Sequence, residues 1–124
     1  MIKWVYLVLG GVGGTVCRYL LSGAVYQVFG VSFPYGTFVV NVSGCLFIGF
    51  LSVLSDEKLI LSPEFKFLLM AGFCGAFTTF STFMLETGNL LKEGETVRAL
   101  SNVVLSVVIG FLAFRLGIYL GRII

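Results

Sequence analysis

Histidine is absent from the 124 residues, which removes the commonest general base and the commonest metal ligand. Charge is nearly as scarce. Only 11% of the chain is Asp, Glu, Lys or Arg, against about a quarter in a soluble domain. The net charge of +2 is too small to argue for nucleic acid. The three cysteines, Cys17, Cys45 and Cys74, all fall inside apolar runs and form no CxxC pair. An odd, scattered set of this kind argues against a disulfide framework or a zinc site and reads as small apolar filler. With no histidine and no buried acid pair, no general base is evident, so an intramembrane enzyme is the weakest of the possible readings.

What fills the chain instead is hydrocarbon. Apolar residues make up 58% of it and the mean hydropathy is +1.06, too apolar for water. The solvent implied is a lipid bilayer, and the length suits one domain. A bilayer core takes about 20 apolar residues per helix, and four runs qualify, at 4–29, 36–54, 65–91 and 97–121. The expected fold is therefore an all-α, four-helix transmembrane domain with short loops. The first run, begun by the interfacial pair Trp4 and Tyr6, is too long for a cleavable signal peptide. Pro34 biases Phe33 to an extended backbone in the first turn. Ser62-Pro63-Glu64 has the form of a helix start: hydroxyl cap, proline at the first position, acid in the first turn.

Four crossings put both ends of the chain on one face of the membrane. Lys3, Lys58, Lys66 and Arg122 fall on that face, and Lys92 and Arg98 on the other. Arg115 and Arg18 lean to opposite sides from within apolar runs. So small a Lys/Arg bias gives a weak orientation signal, which implies insertion in either direction.

Membrane helices associate through small residues and polar contacts. Gly10/Gly14 and Gly117/Gly121 have GxxxG spacing, and Gly72/Ala76 is a further small pair. A phosphate-loop reading of "GGVGGT" fails for want of a following Gly-Lys-Ser/Thr. Polar residues within a bilayer are costly and point to function. Arg18 is either a side chain snorkelling to headgroups or a positive charge at the mouth of an anion path, and the two are compatible. Asn41 is either a helix–helix hydrogen bond or an anion donor. Asn102 and Ser106, four apart, begin a polar stripe on the fourth helix that the small Gly110 continues. Glu86, near the end of the third run, is expected to reach the interface.

The densest such feature is "GFCGAFTTFSTF" at 72–83. Gly72 and Gly75 each cost a helix interior up to about 1 kcal/mol against alanine. Thr78, Thr79, Ser81 and Thr82 favour competing local hydrogen bonds. Together they predict a helix break near the bilayer midplane, where the freed main-chain groups need a protein, water or ion partner. Freed carbonyls suit a hard cation; freed amides and hydroxyls suit an anion. Phe80 and Phe83 share a face beyond the break. Their electropositive ring edges can touch a small anion, or the rings simply pack on lipid or a partner.

These segments resemble the Fluc (CrcB) fluoride channel family nearly end to end. The resemblance lies in "GGVGGTVCRY" at 10–19, "FPYGTFVVNVSGCLFIG" at 33–49, "GFCGAFTTFSTF" with Glu86, and "LSVVIGFLAFRLG" at 105–117. The second and third carry most of the specificity. The resemblance implies a passive fluoride-selective channel that exports the toxic anion across a prokaryotic plasma membrane. It also implies an antiparallel, dual-topology homodimer with two pores, and a structural Na⁺ at its centre held by the backbone carbonyls of Gly75 and Thr78 from both subunits. Phe80 and Phe83 then line the fluoride path, with Asn41 as its asparagine and the hydroxyls of Ser81 and Thr82 beside it. Ser106 continues the path on the fourth helix and Arg18 stands at a vestibule. Two positions depart from the family's usual pattern: Ala76 stands where many members have glycine, and Asn102 where many have tyrosine. Two other classes compete. A small proton-coupled multidrug transporter needs a membrane-embedded carboxylate, for which Glu86 is the sole candidate. A non-transporting assembly subunit needs the packing glycines but not the polar set.

Overall fold

A computed structural model describes residues 1–124. Helix α1 spans Ile2–Phe29 and stops at Gly30, whose φ of 85° is open to glycine and whose N–H donates to the Tyr26 carbonyl at 2.9 Å. Helix α2, Tyr35–Ser52, follows Pro34 and runs on through a π-wound turn at Val53–Glu57. Helix α3 covers 63–77. It begins as its sequence predicts, with Pro63 in the first turn and the Ser62 hydroxyl accepting from the Phe65 N–H at 3.3 Å. Its middle, Phe67–Cys74, is π-wound, a local widening common at functional sites that the residue pattern did not signal. Helices α4, Phe80–Lys92, and α5, Thr96–Ile123, complete the chain.

Four stretches are long and apolar enough to cross a membrane: Ile2–Phe29, Tyr35–Glu57, Pro63–Lys92 and Thr96–Ile123. Each of the two 28-residue helices reaches about 42 Å at 1.5 Å per residue, longer than a ~30 Å hydrocarbon core. Val5, Val8, Val12 and Val16 along α1 are exposed, as are Val104, Val108, Phe111, Leu112 and Tyr119 along α5. In water such continuous apolar faces are a liability; against lipid tails they are the expected surface.

Glycine sets how closely the helices approach. The most extensive contact runs between α2 and α5. A Cβ at Gly117 would overlap the Leu46 carbonyl and sit 2.8 Å from the Phe50 nitrogen. The α1–α3 contact is built alike: a Cβ at Gly14 would overlap the Phe73 carbonyl, and one at Gly72 would lie 2.8 Å from the Leu7 carbonyl oxygen. The small-residue pairs thus bring main chain against main chain, where dispersion contacts replace the missing hydrophobic drive. At the face holding the chain ends, Arg122 forks onto Glu57, with Nη2 to Oε1 at 2.6 Å and Nε to Oε2 at 3.0 Å, tying α5 to the end of α2.

Candidate functional site

Halfway along the third span the helical dihedrals lapse for two residues. Thr78 has φ −87°, ψ 157° and Thr79 has φ −149°, ψ 123°, both extended, between the helical turn Gly75–Phe77 and the start of α4 at Phe80. Side chains supply the alternatives that make this possible. Thr78 Oγ1 donates to the Cys74 carbonyl at 2.9 Å. Thr79 Oγ1 accepts from the Thr82 N–H at 3.2 Å and so caps α4. Asn41 on α2 reaches across with both ends of its amide: Oδ1 accepts from the Thr79 N–H at 2.8 Å, and Nδ2 donates to the Thr79 carbonyl at 2.9 Å. Three residues further along α2, Gly44 leaves the space that the Thr78 methyl fills.

An open groove of about 420 Å³ runs along this segment, lined by Asn41, Gly44, Cys74, Gly75, Thr78 and Phe80 among others. Gly75 is exposed there, with open space where a side chain would be. The rings of Phe80 and Phe83 are neighbours, their centroids 5.8 Å apart at 56°. They differ in setting: Phe80 is 72% exposed on the outer face and Phe83 only 7%.

Arg18 turns inward. Its Nε donates to the Ala76 carbonyl at 3.1 Å, at the end of α3 where the helix dipole favours a cation. It lines a cavity of about 160 Å³ with Tyr26, Thr37, Thr79, Thr82 and Glu86. Glu86 departs from expectation. It does not simply reach the interface; its carboxyl is half-buried and accepts from two hydroxyls, Tyr26 Oη at 2.6 Å and Thr37 Oγ1. A second cavity of about 430 Å³ shares Tyr26 and Glu86 and opens toward Ser32, Asn89, Glu93 and Arg98. The two cavities therefore adjoin at this hydroxyl–carboxyl cluster.

Beyond it the polar stripe on α5 is joined to α4. Asn102, 1% exposed, donates from Nδ2 to Thr87 Oγ1 at 2.9 Å, and Thr87 Oγ1 donates to the Phe83 carbonyl at 2.8 Å. Ser106 Oγ lies 3.4 Å from Asn102 Oδ1 as a longer donor. Ser81 is exposed, and Thr82 is half-buried at the smaller cavity. Thr87, Tyr26 and Thr37 were missed from sequence. Thr87 is four residues beyond Phe83 and hence on its face, a signal that was available. Tyr26 and Thr37 are 60 and 49 residues from Glu86, which no local pattern reveals. No three His, Cys, Asp or Glu side chains gather, so any cation site here has to be made of other groups.

Comparison with known proteins adds to this geometry. The family model described as "CrcB-like protein, Camphor Resistance (CrcB)" matches residues 5–118. A protein of Maridesulfovibrio salexigens named fluoride-specific ion channel FluC is 46% identical over 124 residues, covering 100% of this chain and 98% of its own. Proteins of the same name from Solidesulfovibrio magneticus and Citrifermentans bemidjiense are 44% identical over 119 residues and 45% identical over 122, covering 96% and 98% of this chain and 95% and 98% of their own.

Proposed function

The chain belongs to the CrcB-like family, and on that premise we propose that it is a passive, fluoride-selective channel through which the toxic anion leaves the cytoplasm. It is a multi-pass protein of the bacterial plasma membrane. The observation that carries the reading is the extended Thr78–Thr79 pair, which sets main-chain groups, hydroxyls and two aromatic rings inside an apolar crossing. Fluoride is small and strongly hydrated, so a path has to replace its water with hydrogen-bond donors. The hydroxyls of Ser81 and Thr82 serve in this role. So does the second N–H of Asn41, since its amide has two donors and one is spent on Thr79. Ser106 and Asn102 extend the donor track on α5, the electropositive ring edges of Phe80 and Phe83 border it, and Arg18 draws the anion toward the smaller cavity. Glu86 holds the junction of the two cavities through Tyr26 and Thr37.

The same reading includes an antiparallel, dual-topology homodimer whose centre lies at the break in the third span, near the midplane. The open groove, the bare Gly75 and the exposed Phe80, Met84 and Leu85 of α4 support a second copy against this face. It also includes a Na⁺ ion held there by the carbonyls of Gly75 and Thr78 from both subunits. Those groups suit a hard cation: they are neutral oxygens, and no main-chain hydrogen bond outside the helices ends on either. Bound there, the ion supplies positive charge that offsets the cost of a nearby buried anion.

The test is release from liposomes. Purified protein is expected to release fluoride far faster than chloride with no proton gradient. Equal release of both anions, or of neither, overturns the assignment.

A further inference from the structure

The two carbonyls read as cation ligands are free for a reason that can be traced to one side chain on another helix. In a regular helix the Gly75 carbonyl accepts from the N–H four residues on, which is that of Thr79. Here that N–H donates to Asn41 Oδ1 at 2.8 Å instead. The N–H of Thr78, one residue short of it, bonds the Cys74 carbonyl at 3.1 Å, so neither neighbour returns to Gly75. The Thr78 carbonyl is governed by the same contact. It belongs to the same peptide unit as the Thr79 N–H, the peptide is trans, and a trans peptide points its C=O opposite to its N–H. Fixing the N–H on Asn41 therefore turns the Thr78 oxygen away from α2. Its own helical donor, the Thr82 N–H, is taken by Thr79 Oγ1 at 3.2 Å. The second arm of Asn41, Nδ2 to the Thr79 carbonyl at 2.9 Å, holds the other peptide of Thr79. One carboxamide thus binds both main-chain polar groups of Thr79, much as a neighbouring strand does.

From this arrangement we infer that Asn41 is a positioning residue of the cation site as well as a donor on the anion path. By diverting the Thr79 N–H it vacates the Gly75 carbonyl and aims the Thr78 carbonyl, and Thr79 completes the device by capping Thr82. The inference rests on the reading that Na⁺ is held by Gly75 and Thr78. Its physical content is a competition. Without an acceptor at position 41, the Thr79 N–H is drawn back to its helical acceptor, the Gly75 oxygen, because an N–H left without a partner inside a membrane span is costly. The helix would close by one bond and consume a cation ligand. An acceptor at 41 keeps the site open whether or not it has a donor to spare beyond the one on the Thr79 carbonyl.

That last point separates this role from the anion path. Asn41→Asp, when protonated, keeps both bonds to Thr79, one oxygen accepting from its N–H and the carboxyl O–H donating to its carbonyl, but has no second donor left for fluoride. Asn41→Leu removes the acceptor. Purified protein in detergent is heated in NaCl or in N-methylglucamine chloride at constant ionic strength, and the Na⁺ concentration that raises the melting temperature is read by linkage. Hydrogen exchange at the Thr79 amide is followed in parallel.

The parent protein is expected to melt higher in Na⁺ and to protect the Thr79 amide. Asn41→Leu is expected to raise the Na⁺ midpoint by about tenfold or more. At a pH low enough to protonate its carboxyl, Asn41→Asp is expected to keep it within about threefold while fluoride release is lost. Thr79→Val, which frees the Thr82 N–H to return to the Thr78 carbonyl, is expected to weaken Na⁺ in the same direction and serves if Asn41→Leu does not fold. Three results overturn the inference: an unchanged Na⁺ midpoint in both Asn41→Leu and Thr79→Val, a protonated Asp variant as deficient as Leu, or an unprotected Thr79 amide in the parent. A parent protein that melts alike in both salts instead overturns the cation reading beneath it.

Discussion

Gly44→Ala is a sharp test of how α2 supports the extended pair. The new Cβ would overlap Cγ2 of Thr78 and lie 3.4 Å from Phe77 Cδ1. Thr78 can clear it only by turning about χ1, and the hydroxyl on the same carbon is bonded to the Cys74 carbonyl at 2.9 Å. Turning the side chain gives up that bond, worth about 0.6 kcal/mol on average within membranes, and leaves a strained rotamer at about 0.5–1.5 kcal/mol. If Thr78 stays, α2 has to back away, and overpacking of this kind costs about 1–3 kcal/mol. The two routes together predict a loss of about 1–3 kcal/mol, measured as a lower melting temperature in detergent, with reduced fluoride release because Thr78 and α2 no longer fit as they do now. Thr78→Ser removes the offending methyl and keeps the hydroxyl. It should cost about 0.8 kcal/mol alone, the worth of one buried methyl. Combined with Gly44→Ala it should restore most of the stability, giving a coupling of about 1–2 kcal/mol. Gly88→Ala on α4, with nothing near its would-be Cβ, is the control. A Gly44→Ala protein as stable as its parent, or a double variant no better than the single, refutes the packing argument.

Other substitutions follow from the same geometry. Gly14→Ala meets the Phe73 carbonyl, a main-chain atom that cannot rotate aside, and should cost about 1–3 kcal/mol; Gly11→Ala faces open space and should be neutral or gain up to about 1 kcal/mol from helix propensity. Equal melting temperatures for the two would count against the α1–α3 contact. Phe80→Ile, at a 72% exposed ring, should cut fluoride release at a smaller cost in melting temperature than the same change at Phe83. Phe83→Ile, at a 7% exposed ring, should lose both, and full release from either variant removes that ring from the path. Glu86→Gln presents an amide N–H to a hydroxyl that now donates to oxygen and should cost about 1–3 kcal/mol. Tyr26→Phe should soften that penalty, and additive losses in the pair would show that the Tyr26 contact is not energetically coupled to Glu86.

The crossings were legible because hydropathy is a sum over many residues. The runs at 36–54 and 97–121 fall within Tyr35–Glu57 and Thr96–Ile123, and an error at one position barely moves such a sum. Ser62 and Pro63 were legible for the opposite reason, since a helix cap is decided by two or three adjacent side chains. The tight helix contacts were visible too, as glycine spacing. What spacing could not give was which backbone each glycine would meet: Gly10 and Gly14 lie on α3, while Gly117 and Gly121 lie on α2. The π-wound stretch Phe67–Cys74 left no mark that propensity could read, since its residues suit an ordinary helix equally well.

The polar site was half legible, and the missing half has a common cause. A cluster of ionised side chains announces itself by residue type, but this chain has almost none within its spans. Its polar chemistry rests on main-chain groups, and every residue carries the same ones. Sequence could say that threonines gather at 78–82, where the extended pair lies. It could not say which carbonyl would be left open, because that depends on Asn41, 38 residues away, taking one amide and not another. The arrangement also explains why so few charges are needed. The helical turn before Thr78 ends in carbonyls and α4 begins in amides, so one interruption offers a negative end and a positive end within a few residues. The ionised side chain bonded at this interruption, Arg18, is itself spent in part on the Ala76 carbonyl. Opposed dipole ends can offer partners to a cation and to an anion side by side, and the hand of a single asparagine decides which main-chain groups are free to do so.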